Sequence, residues 1–84
     1  MANETANIKP KLTEGEVELY RWQHNNIGSG FKTALWDAIH RADTYNQNAL
    51  AKGFPEQIEA YRRFAHEREY WEDVQRRYRD RYGV

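Results

Sequence analysis

The sequence predicts an all-α fold: a small helical bundle of three to four helices that ends in a long C-terminal helix. Three observations carry this reading. No stretch alternates apolar and polar residues with the two-residue period of a strand, and no internal repeat is present. Helix start signals stand at Thr13, Ser29 and Phe54-Pro55. Between the last two, Phe31, Leu35, Ala38, Ile39, Ala42 and Tyr45 recur at three- and four-residue spacing, which puts them on one side of a helix.

Taken in order, residues 1–12 are Asn-, Thr- and Lys-rich with an isolated Ile8 and a Pro10. They cannot bury enough to offset the entropy of ordering, so a flexible N-terminal arm is expected, followed by a single helical domain over residues 13–84. Thr13-Glu14-Gly15-Glu16 matches a capping box, in which the Thr13 hydroxyl and the Glu16 carboxylate each satisfy a backbone N–H of the first turn. The helix that follows reaches about Asn25. Its Val17, Leu19, Tyr20 and Trp22 spread round most of the circumference, so contact on more than one side is expected. Asn25-Asn26-Ile27-Gly28-Ser29-Gly30 is a break rich in residues that tolerate left-handed backbone.

Ser29 caps the next helix, whose Phe31-to-Tyr45 face marks it as the central core helix, with Trp36 off that face. The small residues Ala34, Ala38 and Ala42 would let another helix approach closely. Asp43 and Asn46 end or kink it, and a short helix with Leu50 pointing inward runs to Gly53. Pro55 then opens a segment without Gly or Pro until Gly83. Along it, Phe54, Ile58, Tyr61 and Ala65 share one face, while Trp71, Val74, Tyr78 and Tyr82 share another roughly 100° further round. Two faces imply two partners. Either the rod breaks near His66–Glu69 and folds back, or its second half reaches another molecule.

Composition narrows the function classes. Thirteen basic residues balance thirteen acidic ones, so the whole-chain charge favours neither nucleic acid nor a membrane surface. The absence of cysteine excludes disulfides, thiolate metal sites and a cysteine nucleophile, and fits a cytoplasmic protein. No signal peptide or membrane span is recognisable. Three Trp, six Tyr and three Phe among 84 residues are a composition suited to interfaces. Such a short chain also builds only a modest core, which points to stability shared with an oligomer or partner.

The run Gly30-Phe31-Lys32-Thr33-Ala34-Leu35-Trp36-Asp37-Ala38-Ile39, then Ala42-Asp43, Asn46, Leu50 and Gly53-Phe54-Pro55-Glu56, resembles short uncharacterised helical proteins of bacteriophages and bacterial mobile elements. The resemblance extends over about Gly28 to Tyr61. It implies a viral or mobile-element origin, where chains of this size bind and block or recruit a host protein, host-defence inhibitors among them. It carries no functional residue and no reaction.

Candidate chemistry is sparse. His24, His40 and His66 fall on three different elements without a nucleophile motif beside them. Asp37, His40 and Asp43 could line one helix flank as metal ligands, although acid, imidazole and Arg41 together are the ordinary make-up of a solvated face. The Gly28-Ser29-Gly30 turn before Lys32 could hold an anion at a helix N-terminus, or simply cap it. No cofactor and no enzyme activity are expected. Arg76, Arg77, Arg79 and Arg81, interleaved with Tyr78 and Tyr82, have the make-up of phosphate contacts. Glu72 and Asp73 stand four residues ahead of Arg76 and Arg77, however, as in intrahelical pairs. The sharper expectation is a partner or homo-oligomer interface formed by Trp71, Val74, Tyr78 and Tyr82, against packing of the same residues on the first helix. The reading is thus a non-enzymatic interaction protein that binds a protein partner, itself or both, with nucleic acid as the alternative and no membrane.

Overall fold

The computed structural model describes residues 11–84. Five helices and no strand occur among them: α1 Glu14–Gln23, α2 Gly30–Arg41, α3 Thr44–Ala51, α4 Pro55–His66 and α5 Tyr70–Tyr82. None is long and apolar enough to cross a membrane. Most of the arm expected over residues 1–12 lies outside the described residues. Of its last two positions, Leu12 packs against the core and the Lys11 carbonyl accepts a hydrogen bond from Arg77 Nη1 at 2.9 Å.

The local start signals operate as their chemistry requires. Thr13 Oγ1 accepts from Glu16 N at 3.0 Å while Thr13 N donates to Glu16 Oε1 at 3.0 Å, which completes the capping box. Ser29 caps α2 through Lys32 N at 3.2 Å, and Asp43 caps α3 through Asn46 N at 2.8 Å. Pro55 opens α4. The turn between α1 and α2 uses left-handed backbone at Asn25 (φ 53°) and Gly28 (φ 74°), the region such residues tolerate.

The long terminal helix is two helices. Glu67 leaves α4 in an extended conformation (φ −108°, ψ 114°), and α5 begins three residues later. No Gly or Pro forces this break; packing explains it. The apolar faces of residues 54–65 and 71–82 point in different directions on a continuous rod, and the break turns both onto α1, which packs against α4 and α5 as well as α2. The expected central helix is therefore displaced: the α1–α4 pair forms the centre, with α4 touching all four other helices, α1 three of them, and α2 packed against both. α3 packs on α4 and buries no residue of its own.

Leu19, Leu35, Trp36, Ile39, Ile58, Ala60, Tyr70 and Val74 form the core. Trp36, Leu19, Ile39, Ile58 and Val74 are its largest fully buried side chains, each worth roughly 1.5–3 kcal/mol in burial of aliphatic or larger apolar surface. Glu16, Glu18 and Gln57 are buried with them and are held in two polar clusters. Glu16 accepts from Tyr70 Oη at 2.7 Å and from Arg77 Nη1 and Nη2 at 3.0 and 2.9 Å. Glu18 accepts from Lys32 Nζ at 2.5 Å, Trp36 Nε1 at 3.1 Å and Gln57 Nε2 at 3.3 Å. Two carboxylates two residues apart on α1 thereby anchor α5 on one side and α2 with α4 on the other.

Candidate interaction surface

The aromatic face expected to meet a partner lies mostly inside the protein. Val74 is fully buried and Tyr78 is 6% exposed. The Tyr78 ring stacks on Tyr20 of α1, with centroids 3.7 Å apart and planes 8° from parallel, and its hydroxyl accepts from Arg21 Nε at 3.1 Å. Trp71 is half-buried, edge-on to Phe64 at 5.5 Å and 6.0 Å from Tyr20. Tyr82, 43% exposed, keeps substantial surface in water. The four-residue interface read from the sequence is thus corrected: Trp71, Val74 and Tyr78 are spent on α1 and α4, because the break after His66 swings them inward.

The four arginines also part company. Arg77 turns into the core edge, where Glu16 and Asp73 neutralise it, so it is not presented to a phosphate backbone. Arg76 pairs with Asp73. The Arg81 guanidinium lies 5.8 Å from the centre of the Tyr82 ring, and Arg79 is exposed near the helix end.

The remaining candidates each have a local role. Asp37 accepts from Trp22 Nε1 at 3.2 Å, His40 Nδ1 lies 2.8 Å from Tyr61 Oη, and Asp43 caps α3. Among the described residues no group of three or more His, Cys, Asp or Glu side chains is arranged to hold a metal. Lys32, beside the Gly28–Gly30 turn, is drawn to Glu18, which keeps its ammonium pKa above the usual value. Ser29 Oγ occupies the N–H of Lys32, so this turn is a cap.

Among the described residues, an apolar surface that no other element covers lies on α2 and α3. The face of α2 expected to form the centre of the core is split. Leu35 and Ile39 are buried, and so is Trp36, which was expected off that face. Phe31 is 61% exposed, Tyr45 79% exposed, Ala34 and Ala38 are exposed, and Ala42 is half-buried. The physical reason lies in the width of the apolar arc. From Ala34 through Ala38, Phe31, Leu35 and Ile39 to Trp36 it covers roughly 200° of the helix, about twice what one core contact occupies. The carboxylate of Glu18 draws Trp36 and Lys32 inward and so selects which half is buried. That excess width was the signal available in the sequence.

Between the exposed half of α2 and the adjoining side of α3 runs an open cleft of ≈ 500 Å³ lined by Ala38, Arg41, Ala42, Asn46, Ala49 and Leu50. α3 is tied down from its other flank: Arg62 of α4 donates to Gln47 Oε1 at 3.1 Å and Asn48 Oδ1 at 2.6 Å. Tyr45 stands one turn before Ala49 on the cleft side of α3. Phe31 lies two turns before Ala38 on the same side of α2, its ring 6.3 Å from Phe54. Three alanines thus make a shallow slot between two helices that each carry an exposed aromatic ring.

Comparison with protein-family models gave no match, and comparison with curated proteins and with solved structures found nothing similar to the chain.

Proposed function

We propose that this chain is a non-enzymatic interaction protein whose contact surface is the α2–α3 face, with the C-terminal helix serving as internal support. The observation that carries the reading is that Phe31 and Tyr45 stand 61% and 79% exposed near the starts of the two helices that line an apolar cleft. With side chains of ~200 Å² each, these two rings alone present roughly 280 Å² to water. That area, extended by the cleft alanines and Leu50, is on the scale of the largest apolar patch a monomer shows. A slot floored by small side chains and rimmed by Arg41 and Asn46 suits large apolar side chains of another polypeptide, oriented by polar contacts at the edge. Both partner classes expected from the sequence, a host protein and a second copy, are polypeptides. Nucleic acid at the C-terminal helix is less favoured, because Arg77 is neutralised by Glu16 and Asp73.

The test is site-specific photo-crosslinking in cells. A benzophenone amino acid at position 45 is expected to give a discrete polypeptide adduct that Ala38→Arg abolishes, whereas the same probe at Arg68, on the exposed α4–α5 connection, gives none. If position 45 yields no polypeptide adduct above the position-68 control while the variant chain stays folded, the reading is wrong.

A further inference from the structure

We infer that the occupant of the α2–α3 cleft is a second copy of this chain, in a two-fold dimer where Tyr45 of each copy enters the cleft of the other. The inference rests on the reading of this face as a contact surface and adds the identity of what covers it.

A two-fold interface must be complementary to itself: the same patch has to carry both the projections and the recesses that receive them. This face does. Tyr45 and Phe31 project, at 79% and 61% exposure. The slot of Ala38, Ala42 and Ala49 recedes between the helices that carry them.

Charge argues the same way. A rim of one sign would select an oppositely charged partner and repel a copy of itself. Here the exposed Arg41 is followed two residues on by the exposed Asp43, so rotation about a two-fold axis can bring unlike charges together. The chain as a whole has thirteen charges of each sign, and no net repulsion opposes pairing.

Area sets the strength. The two aromatic rings supply roughly 280 Å², and Ala34, Ala38, Arg41, Ala42, Asn46, Ala49 and Leu50 extend the patch along helices of about 18 and 12 Å. The rings alone are about a third of the ~800 Å² per partner typical of specific complexes, which puts the pairing at the weak end. The expected dimer therefore dissociates at micromolar concentration.

The experiment is sedimentation equilibrium with native mass spectrometry on the full chain, from low micromolar to millimolar concentration. Ala38→Arg and Tyr45→Ser are measured alongside; both sites are exposed, and arginine is a good helix former. A monomer–dimer equilibrium is expected, with each substitution weakening it about tenfold or more while circular dichroism and tryptophan fluorescence stay unchanged. Crosslinking from position 45 in a mixture of isotope-labelled and unlabelled chains should give mixed adducts joined to residues 38–50. A chain that is monomeric throughout overturns the inference, as does a dimer indifferent to both substitutions. If the chain is monomeric but position 45 still captures a different polypeptide in cells, the self-pairing fails and the contact face stands. If it captures nothing, both fail.

Discussion

Gly15 shows how a single position is decided by its surroundings and not by its propensity. In the first turn of a helix, alanine would ordinarily be favoured over glycine by up to about 1 kcal/mol. Here a Cβ built on Gly15 would lie 2.1 Å from the Glu56 carbonyl oxygen and 2.8 Å from Gln57 N, at the start of α4. Only a residue without a side chain lets the two backbones approach so closely, and that approach brings Glu14 N within 3.1 Å of Glu56 Oε1. Because the obstacle is backbone and cannot swing aside, Gly15→Ala should separate α1 from α4. The expected result is a net loss of about 1–3 kcal/mol in urea-induced unfolding. An unchanged or raised stability would mean that the two helices sit further apart than described.

At the scale of whole elements, the break between α4 and α5 converts a face that looked outward on a straight rod into part of the core. The consequence can be measured by contrasting two tyrosines one turn apart. Tyr78, stacked on Tyr20 and 6% exposed, should cost about 3–5 kcal/mol on replacement by Ala, as large core truncations do. Tyr82, 43% exposed, should cost under about 1 kcal/mol. Equal small costs would return Tyr78 to the surface. Local features were legible in the sequence because they are local: the Thr13 capping box, the Ser29 cap and the Pro55 start each depend on residues within one turn of one another, whereas the region of the break was read only from the change of apolar face along residues 54–82. Helix count and buried faces were not legible in the same way. An apolar arc of roughly 200° on α2 is compatible with burial of either half. The choice rests on Glu18, which sits 18 residues before Trp36 and 14 before Lys32 and meets both only in the folded chain. The candidate surface was hidden by the same ambiguity, since Phe31, Ala38 and Tyr45 carry the pattern of a core.

For the molecule as a whole, α1 holds its neighbours through buried carboxylates as much as through apolar contact, and this makes stability depend on pH with a definite sign. Burial alone would raise the pKa of Glu16. The hydrogen bonds from Arg77, Thr13 N and Tyr70, together with the charge of Arg77, outweigh it and bring the value from 4.5 down to about 2. Burial likewise pushes the Glu18 pKa up, and the contacts of Lys32, Trp36 and Gln57 outweigh it, so that this pKa too is lowered. Between about pH 4.5 and pH 2 the unfolded chain therefore binds protons that the folded one refuses, and stability falls as pH falls through this window. For Glu16 the contribution present above pH 4.5 is on the order of 3 kcal/mol, a large fraction of what an 84-residue chain possesses. Thermal unfolding followed from pH 7 to pH 2 should show Tm level down to about pH 5 and then dropping steeply. Arg77→Met should behave differently: with Glu16 buried and unpaired it loses about 3–5 kcal/mol at neutral pH, and much of the steep acid limb disappears because Glu16 no longer holds a depressed pKa. If the variant kept the wild-type acid limb, the guanidinium could not be what fixes Glu16 as an anion, and the tie between α1 and α5 would have to reside in the Tyr70–Glu16 and Arg21–Tyr78 hydrogen bonds and the apolar contacts around them.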